Sequence, residues 1–227
     1  MFIYDEILKS LDKLLENYDK EHLKVDLNQE FIENKNQIIF KNDKAFELGG
    51  GSNYGFAINL ISTSSFDDDI ILIGKDTDLI KKDTNYVRIA IFSCMEDDIK
   101  KGNIYQNIRK IDYMKYQFAL DGVMLRESAI NGKESLLFSK KKNSLSVIGS
   151  YLINKYKKVS IVKSVKIIFI DLDDFPYDKL RSIKDREEAV TKALDHLVNK
   201  VKMDCDICKL QPICNEVSKL VENDFKK

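Results

Sequence analysis

The sequence has no tryptophan, two prolines and two histidines among 227 residues, and no excess of charge of either sign, with 37 basic and 37 acidic side chains. The missing basic excess argues against a dedicated nucleic-acid binder. No long apolar run is present either. The most apolar stretch, Ile161 to Leu172, is interrupted by Lys163 and Lys166 and is too short to span a bilayer. The first residues do not read as a signal peptide, because Asp5 and Glu6 stand where a basic segment belongs. These absences lead to the expectation of a cytoplasmic protein with no membrane and no nucleic-acid partner. Arginine is scarce as well. Arg88, Arg109, Arg126, Arg181 and Arg186 are the whole set, so a site needing bidentate recognition of phosphate or carboxylate has few residues to draw on. No internal repeat or low-complexity segment is found.

The residues that are present read as an α/β protein. Phe2, Ile3, Ile7, Leu8, Leu11, Leu14, Leu15 and Tyr18 form one stripe at helical spacing and predict an N-terminal helix over residues 1–20. Apolar runs predict strands at 56–61, 70–73, 86–92, 135–138 and 162–171. Helical spacing predicts helices from Asp97 or Asp98 to Met114, over 144–156, and over 183–201. Strands alternating with helices point to a mostly parallel sheet covered by helices. Ile167 to Ile170, apolar on both faces, are expected in its centre. The expected division is an N-terminal helix and connecting segment (1–45), an α/β domain (46–203) and a cysteine-rich C-terminal helical cap (204–227).

Three of the four cysteines cluster in that last segment. Cys205, Cys208 and Cys214 are spaced C-x2-C-x5-C, with Pro212 two residues before the third. In a reducing compartment such clustering favours metal or redox chemistry over disulfides. A two-residue gap lets a tight turn bring two sulfurs to the same side, and the third can close a face of the site. Three thiolates suit an iron–sulfur cluster, expected as [4Fe-4S], or zinc. Zinc fingers usually supply two ligand pairs, and a second pair is absent, which favours iron–sulfur. The fourth ligand is open among Cys94, Asp204, Asp206, Ser218, His196, a partner's thiol and a small exogenous ligand. Three reduced cysteines packed in a helical cap without metal are the plain alternative.

Other groups are weaker. Gly49-Gly50-Gly51 permits close backbone approach to a ligand or simply makes a turn. It lacks the lysine and hydroxyl residue of a P-loop and does not fit G-x-G-x-x-G. The acidic turns Asp67–Asp69 and Asp171, Asp173, Asp174, and the basic run Lys140–Lys142, read as solvated faces. No CxxxCxxC motif is present, which excludes a radical SAM enzyme.

Four stretches carry a family resemblance. They are Phe46 to Gly50 followed by Phe56; Ile73-Gly74-Lys75-Asp76-Thr77-Asp78; Met95 to Met114 with Arg109; and Leu137 to Lys140, then Gly149 and Val165 to Asp171. Together they resemble the middle α/β domain of the acetyl-CoA synthase subunit of the carbon monoxide dehydrogenase/acetyl-CoA synthase complex. The resemblance implies that Cys205 and Cys208 match the first cysteine pair of that family's cluster segment, with Cys214 as the third. Gly49, Gly50, Gly51 and Arg126 are the candidate contacts for a coenzyme A-like ligand, Lys140–Lys142 are a further candidate contact for its phosphates, and a protein partner or homo-oligomer is expected. No second cysteine pair follows Cys214, and the stretch 122–128 keeps only Arg126 as a cation. The implied role is therefore accessory or electron-transferring rather than complete acetyl-CoA synthesis. The alternative is a non-catalytic protein-interaction module with a structural zinc or cluster site.

Overall fold

A computed structural model describes residues 2–28, 33–34, 37–40, 46–47, 54–75, 84–100, 104–117, 126–127, 145–199 and 210–225. The strands are β1 (Glu21–Leu23), β2 (Glu33–Asn34), β3 (Gln37–Phe40), β4 (Phe46–Glu47), β5 (Gly55–Ser62), β6 (Asp69–Ile73), β7 (Tyr86–Cys94), β8 (Arg126–Glu127) and β9 (Val162–Ile170). The helices are α1 (Asp5–Leu15), α2 (Glu96–Lys100), α3 (Ile104–Gln117), α4 (Leu145–Tyr156), α5 (Tyr177–Val198) and α6 (Gln211–Phe225).

The main sheet has five strands in the order β1-β6-β9-β7-β5. Its pairings alternate: β1 with β6 antiparallel, β6 with β9 parallel, β9 with β7 antiparallel, β7 with β5 parallel. The α/β class holds, but the sheet is mixed rather than mostly parallel. The connection from β7 to β9 contains α2, α3, β8 and α4, and the chain enters β9 at the end where β7 stopped, with Cys94 opposite Val162. A smaller sheet, β2-β3-β8-β4, is built from strands of two to four residues.

Burial explains why these elements form. In α1 the positions Ile7, Leu11 and Leu15 recur every fourth residue and are all buried, while Asp5 and Glu6 occupy the first turn, where the helix dipole favours negative charge. The helix is shorter than the expected 1–20 span, and its stripe packs on α5 and β5 of the same domain. Residues 21–23, expected in a connecting segment, form the edge strand β1. Ile167, Phe169 and Ile170 are fully buried in β9, the middle strand. All nine residues of β7 are buried, including Arg88.

The register sorts side chains onto two faces. Arg88, Ala90 and Phe92 share a face with Phe169, Ile167 and Ile70. Helix α4 covers that face: the Tyr156 ring meets Phe92 edge-on at 5.0 Å, and Gly149 lies over Ile70. Phe56, on the opposite face, lies under Lys184 of α5. Helix α5 begins at Tyr177, six residues before the expected start, because Pro176 sits at its N-cap. The expected strand at 135–138 lies outside the described residues. The expected 97–114 helix is seen as α2 and α3.

Candidate functional site

Two long helices frame the cysteine segment. Helix α5 ends at Val198, and α6 begins at Gln211 and packs against α5 and α3. What fixes α6 is its apolar side: Val217 is fully buried, and Ile213 and Cys214 pack half-buried against the main core. Cys214 sits in the first turn, its amide donating to the Leu210 carbonyl at 2.8 Å. Cys214 is thus held half-buried by a docked helix.

Cys205 and Cys208 lie outside the described residues, as do Asp204 and Asp206, so the cysteine-rich part of the cap is not shown. Covalent geometry still bounds the separation. Cys208 is two residues before Leu210, hence within about 7 Å of it Cα to Cα. Leu210 is one helical turn from Cys214. Among the other candidate ligands, Ser218 donates its hydroxyl to the Asn215 carbonyl at 3.1 Å, and His196 is half-buried in the last turn of α5. Cys94 closes β7, buried beside Asp98 and Lys163. Burial pushes its thiol up to about 12. Among the described residues, no group of three or more His, Cys, Asp or Glu could hold a metal ion.

The other candidates fall elsewhere. Gly49, Gly50 and Gly51 lie outside the described residues. Arg126 is in β8, its backbone beside Ile39 and Glu47 in the small sheet. The acidic turns are engaged by the protein itself. Asp68 pairs with Lys157 and accepts from the Val165 amide, Asp69 faces His22 at 3.0 Å, and Asp173 pairs with Lys75. Asp171 is fully buried and accepts from the Lys75 amide at the carboxyl ends of β6 and β9. Gly74 makes this closeness possible. Its φ is +132°, and a Cβ there would lie 1.8 Å from Asp171 Oδ1.

Sequence reasoning missed the most polar part of the interior. Lys115 of α3 reaches Asp112 Oδ1 at 2.6 Å and Glu187 Oε1 and Oε2 of α5 at 3.1 and 2.9 Å. Lys115 and Glu187 are 3% and 0% exposed at the side chain, so the pair is desolvated. Burial pushes the Glu187 carboxyl well above its usual range; Asp112 adds to the shift and Lys115 opposes it. Burial also pulls on the Lys115 ammonium, but the charges of Glu187 and Asp112 outweigh it and hold its pKa raised. Asp112 is also paired with Arg109, whose Nη1 lies 3.5 Å from Asp112 Oδ2, so two cations face two acidic groups here. Tyr4, leading into α1, lies against the same group beside Thr191. The cluster joins α1, α3 and α5 and is structural in its arrangement. A signal existed: Lys115 continues the buried Ile104, Ile108, Ile111 spacing, and Glu187 falls in the series Leu180, Ile183, Val190, Leu194.

A cavity of about 670 Å³ opens between α1 and α5, with Lys13, Lys179 and Arg186 on its walls and Tyr18, Leu14 and Ile183 among its lining. Arg186 donates to Ser10 Oγ there at 3.3 Å. No family model, curated protein or solved structure matches the chain.

Proposed function

We propose that Cys205, Cys208 and Cys214 bind an iron–sulfur cluster of the [4Fe-4S] type and that the chain is an accessory or electron-transfer protein. The supporting observation is the placement of Cys214. It is the one cysteine of the trio in the described residues, and it stands half-buried on a helix anchored by Val217. An anchored third ligand limits how far the other two thiols can range. The donor chemistry fits, since three thiolates within ten residues match soft metals and clusters better than hard cations. Such a cluster would supply one-electron redox chemistry or a rigid cross-link. The protein's own part is to hold Cys214 at a fixed depth against α5 and to keep the site shallow enough for a partner to approach. The fourth ligand comes from a partner's thiol, an exogenous ligand, or one of Cys94, Asp204, Asp206, His196 and Ser218. The relation to acetyl-CoA synthase remains part of the same proposal, and so does a coenzyme A-like ligand near Gly49–Gly51 and Arg126.

Anaerobic purification followed by absorption spectroscopy and metal analysis tests this reading. A brown protein with a broad band near ~400 nm and iron matched by acid-labile sulfide supports it. Stoichiometric zinc in a colourless protein would instead support the interaction module with a structural metal. Neither metal would remove both.

A further inference from the structure

Arg88 lies in the middle of the β7–β5 pair, on the face covered by α4, and is 1% exposed. Its Nε, Nη1 and Nη2 atoms are all buried, and none has a hydrogen-bond partner among the described residues. It lies near the buried Tyr156 hydroxyl, whose pKa burial raises and the guanidinium opposes. A buried, uncompensated guanidinium is among the most costly arrangements a fold can hold. Sheets seldom place arginine at such a position without something to bind, because an apolar side chain would be stabler there.

The surroundings fit an occupant. In the sheet register Arg88 stands beside Ala57 on β5 and Phe169 on β9, and its same-face neighbours along the strand are Ala90 and the buried Tyr86. Gly55 pairs with Tyr86 one step away. Small side chains therefore flank the guanidinium on the β5 side. Asn59, diagonal to Arg88 on the same face, is 2% exposed. Its Nδ2 donates to the Ile111 carbonyl of α3 at 2.8 Å, which fixes the amide, while its Oδ1 is buried without a partner among the described residues. A cluster of donors and one fixed acceptor thus face the same layer between the sheet and its helices.

We propose that Arg88 and Asn59 form a binding site for a small oxyanion that also carries a hydroxyl, such as a hydrogen phosphate or a hydroxycarboxylate. The anion's oxygens accept from the Arg88 guanidinium, which suits two-pronged recognition, and its hydroxyl donates to Asn59 Oδ1. This site is separate from the cysteine segment and stands or falls without it.

The test is thermal unfolding of the full chain with inorganic phosphate or glycolate as probe, against chloride at equal ionic strength. The wild type is expected to gain about 5 °C in Tm at saturating probe. Which of the two probes is more effective identifies the anion class. Arg88→Met should lose the gain while unfolding no lower than the wild type in chloride alone, since it removes a buried unpaired charge. Asn59→Ala, which keeps Arg88, should weaken the probe's half-saturation roughly tenfold, one hydrogen bond's worth. The site is overturned if neither probe shifts the wild type. Equal shifts in wild type and Arg88→Met overturn it too, and so does an Asn59→Ala protein that binds as tightly as wild type should Arg88→Met fail to fold.

Discussion

Single residues decide the energetics of the helical layer. Lys115 touches Asp112 and Glu187 together at hydrogen-bond distance. Replacing it by Met leaves Glu187 buried without its cation, while Asp112 keeps the more exposed Arg109. The expected cost is about 3–5 kcal/mol, the usual penalty for stripping one partner from a buried ionic group. Urea unfolding checks this, and a loss below about 1 kcal/mol would show that water reaches the cluster. Adding Glu187→Gln to that variant should recover part of the loss.

The pH dependence follows from the same residues. Glu187 titrates higher in the folded chain than in the unfolded one, chiefly because it is buried. Its protonated form is what the fold accommodates, so its contribution is fully present below about pH 4.5 and is lost as pH rises through the folded value. Lys115, raised as well, stays charged across that window and does not confound it. The stability of Glu187→Gln relative to wild type should therefore climb as pH rises above 4.5. Parallel urea titrations between roughly pH 5 and 9 measure the difference; a difference flat in pH contradicts a raised Glu187 pKa.

At the scale of elements, the sequence was legible where periodicity was clean. The apolar runs at 56–61, 70–73, 86–92 and 162–171 correspond to β5, β6, β7 and β9. The 1–20 and 144–156 stripes correspond to α1 and α4, with boundaries moved inward by up to five residues. What was hidden was pairing direction. The alternation of strands and helices and the apolar faces of Ile167 to Ile170 led to the expectation of a mostly parallel sheet, yet β9 pairs antiparallel with β7. Side-chain patterns report burial; direction depends on the end at which the connection returns the chain. The Arg88 and Lys115 sites were hidden for a related reason. Each is one charged residue in an apolar run, and its partners come from other elements. Of the metal candidates, the spacing of Cys205, Cys208 and Cys214 was plain, whereas the burial that marks Cys94 as a core thiol is a tertiary property.

Gly149 shows how tightly α4 meets the sheet. A Cβ there would lie 2.7 Å from Ile70 Cδ1 and 2.9 Å from its Cγ1. Gly149→Ala gains about 1 kcal/mol in helix propensity. Overpacking against a fully buried Ile70 costs about 1–3 kcal/mol. The side chain is pinned between Gly149 and its sheet neighbour Ile167, so the clash should win and the variant should melt lower. A higher melting temperature would mean that α4 can lift from the sheet.

The whole molecule is a mixed five-stranded sheet between α4 and the α1–α5 layer, and α6 carries the last cysteine. None of the described helices is long and apolar enough to cross a membrane. The sheet core is complete before residue 171, and the helix that follows covers it. A change at Cys208 should therefore remove the metal without unfolding the rest. The most direct measurement is the iron-to-chain ratio of anaerobically purified Cys208→Ser beside wild type, with circular dichroism on both samples. A metal centre built on these cysteines requires most of the iron to vanish while the spectrum is unchanged. Iron retained at the wild-type ratio, or absent from both proteins, would contradict it.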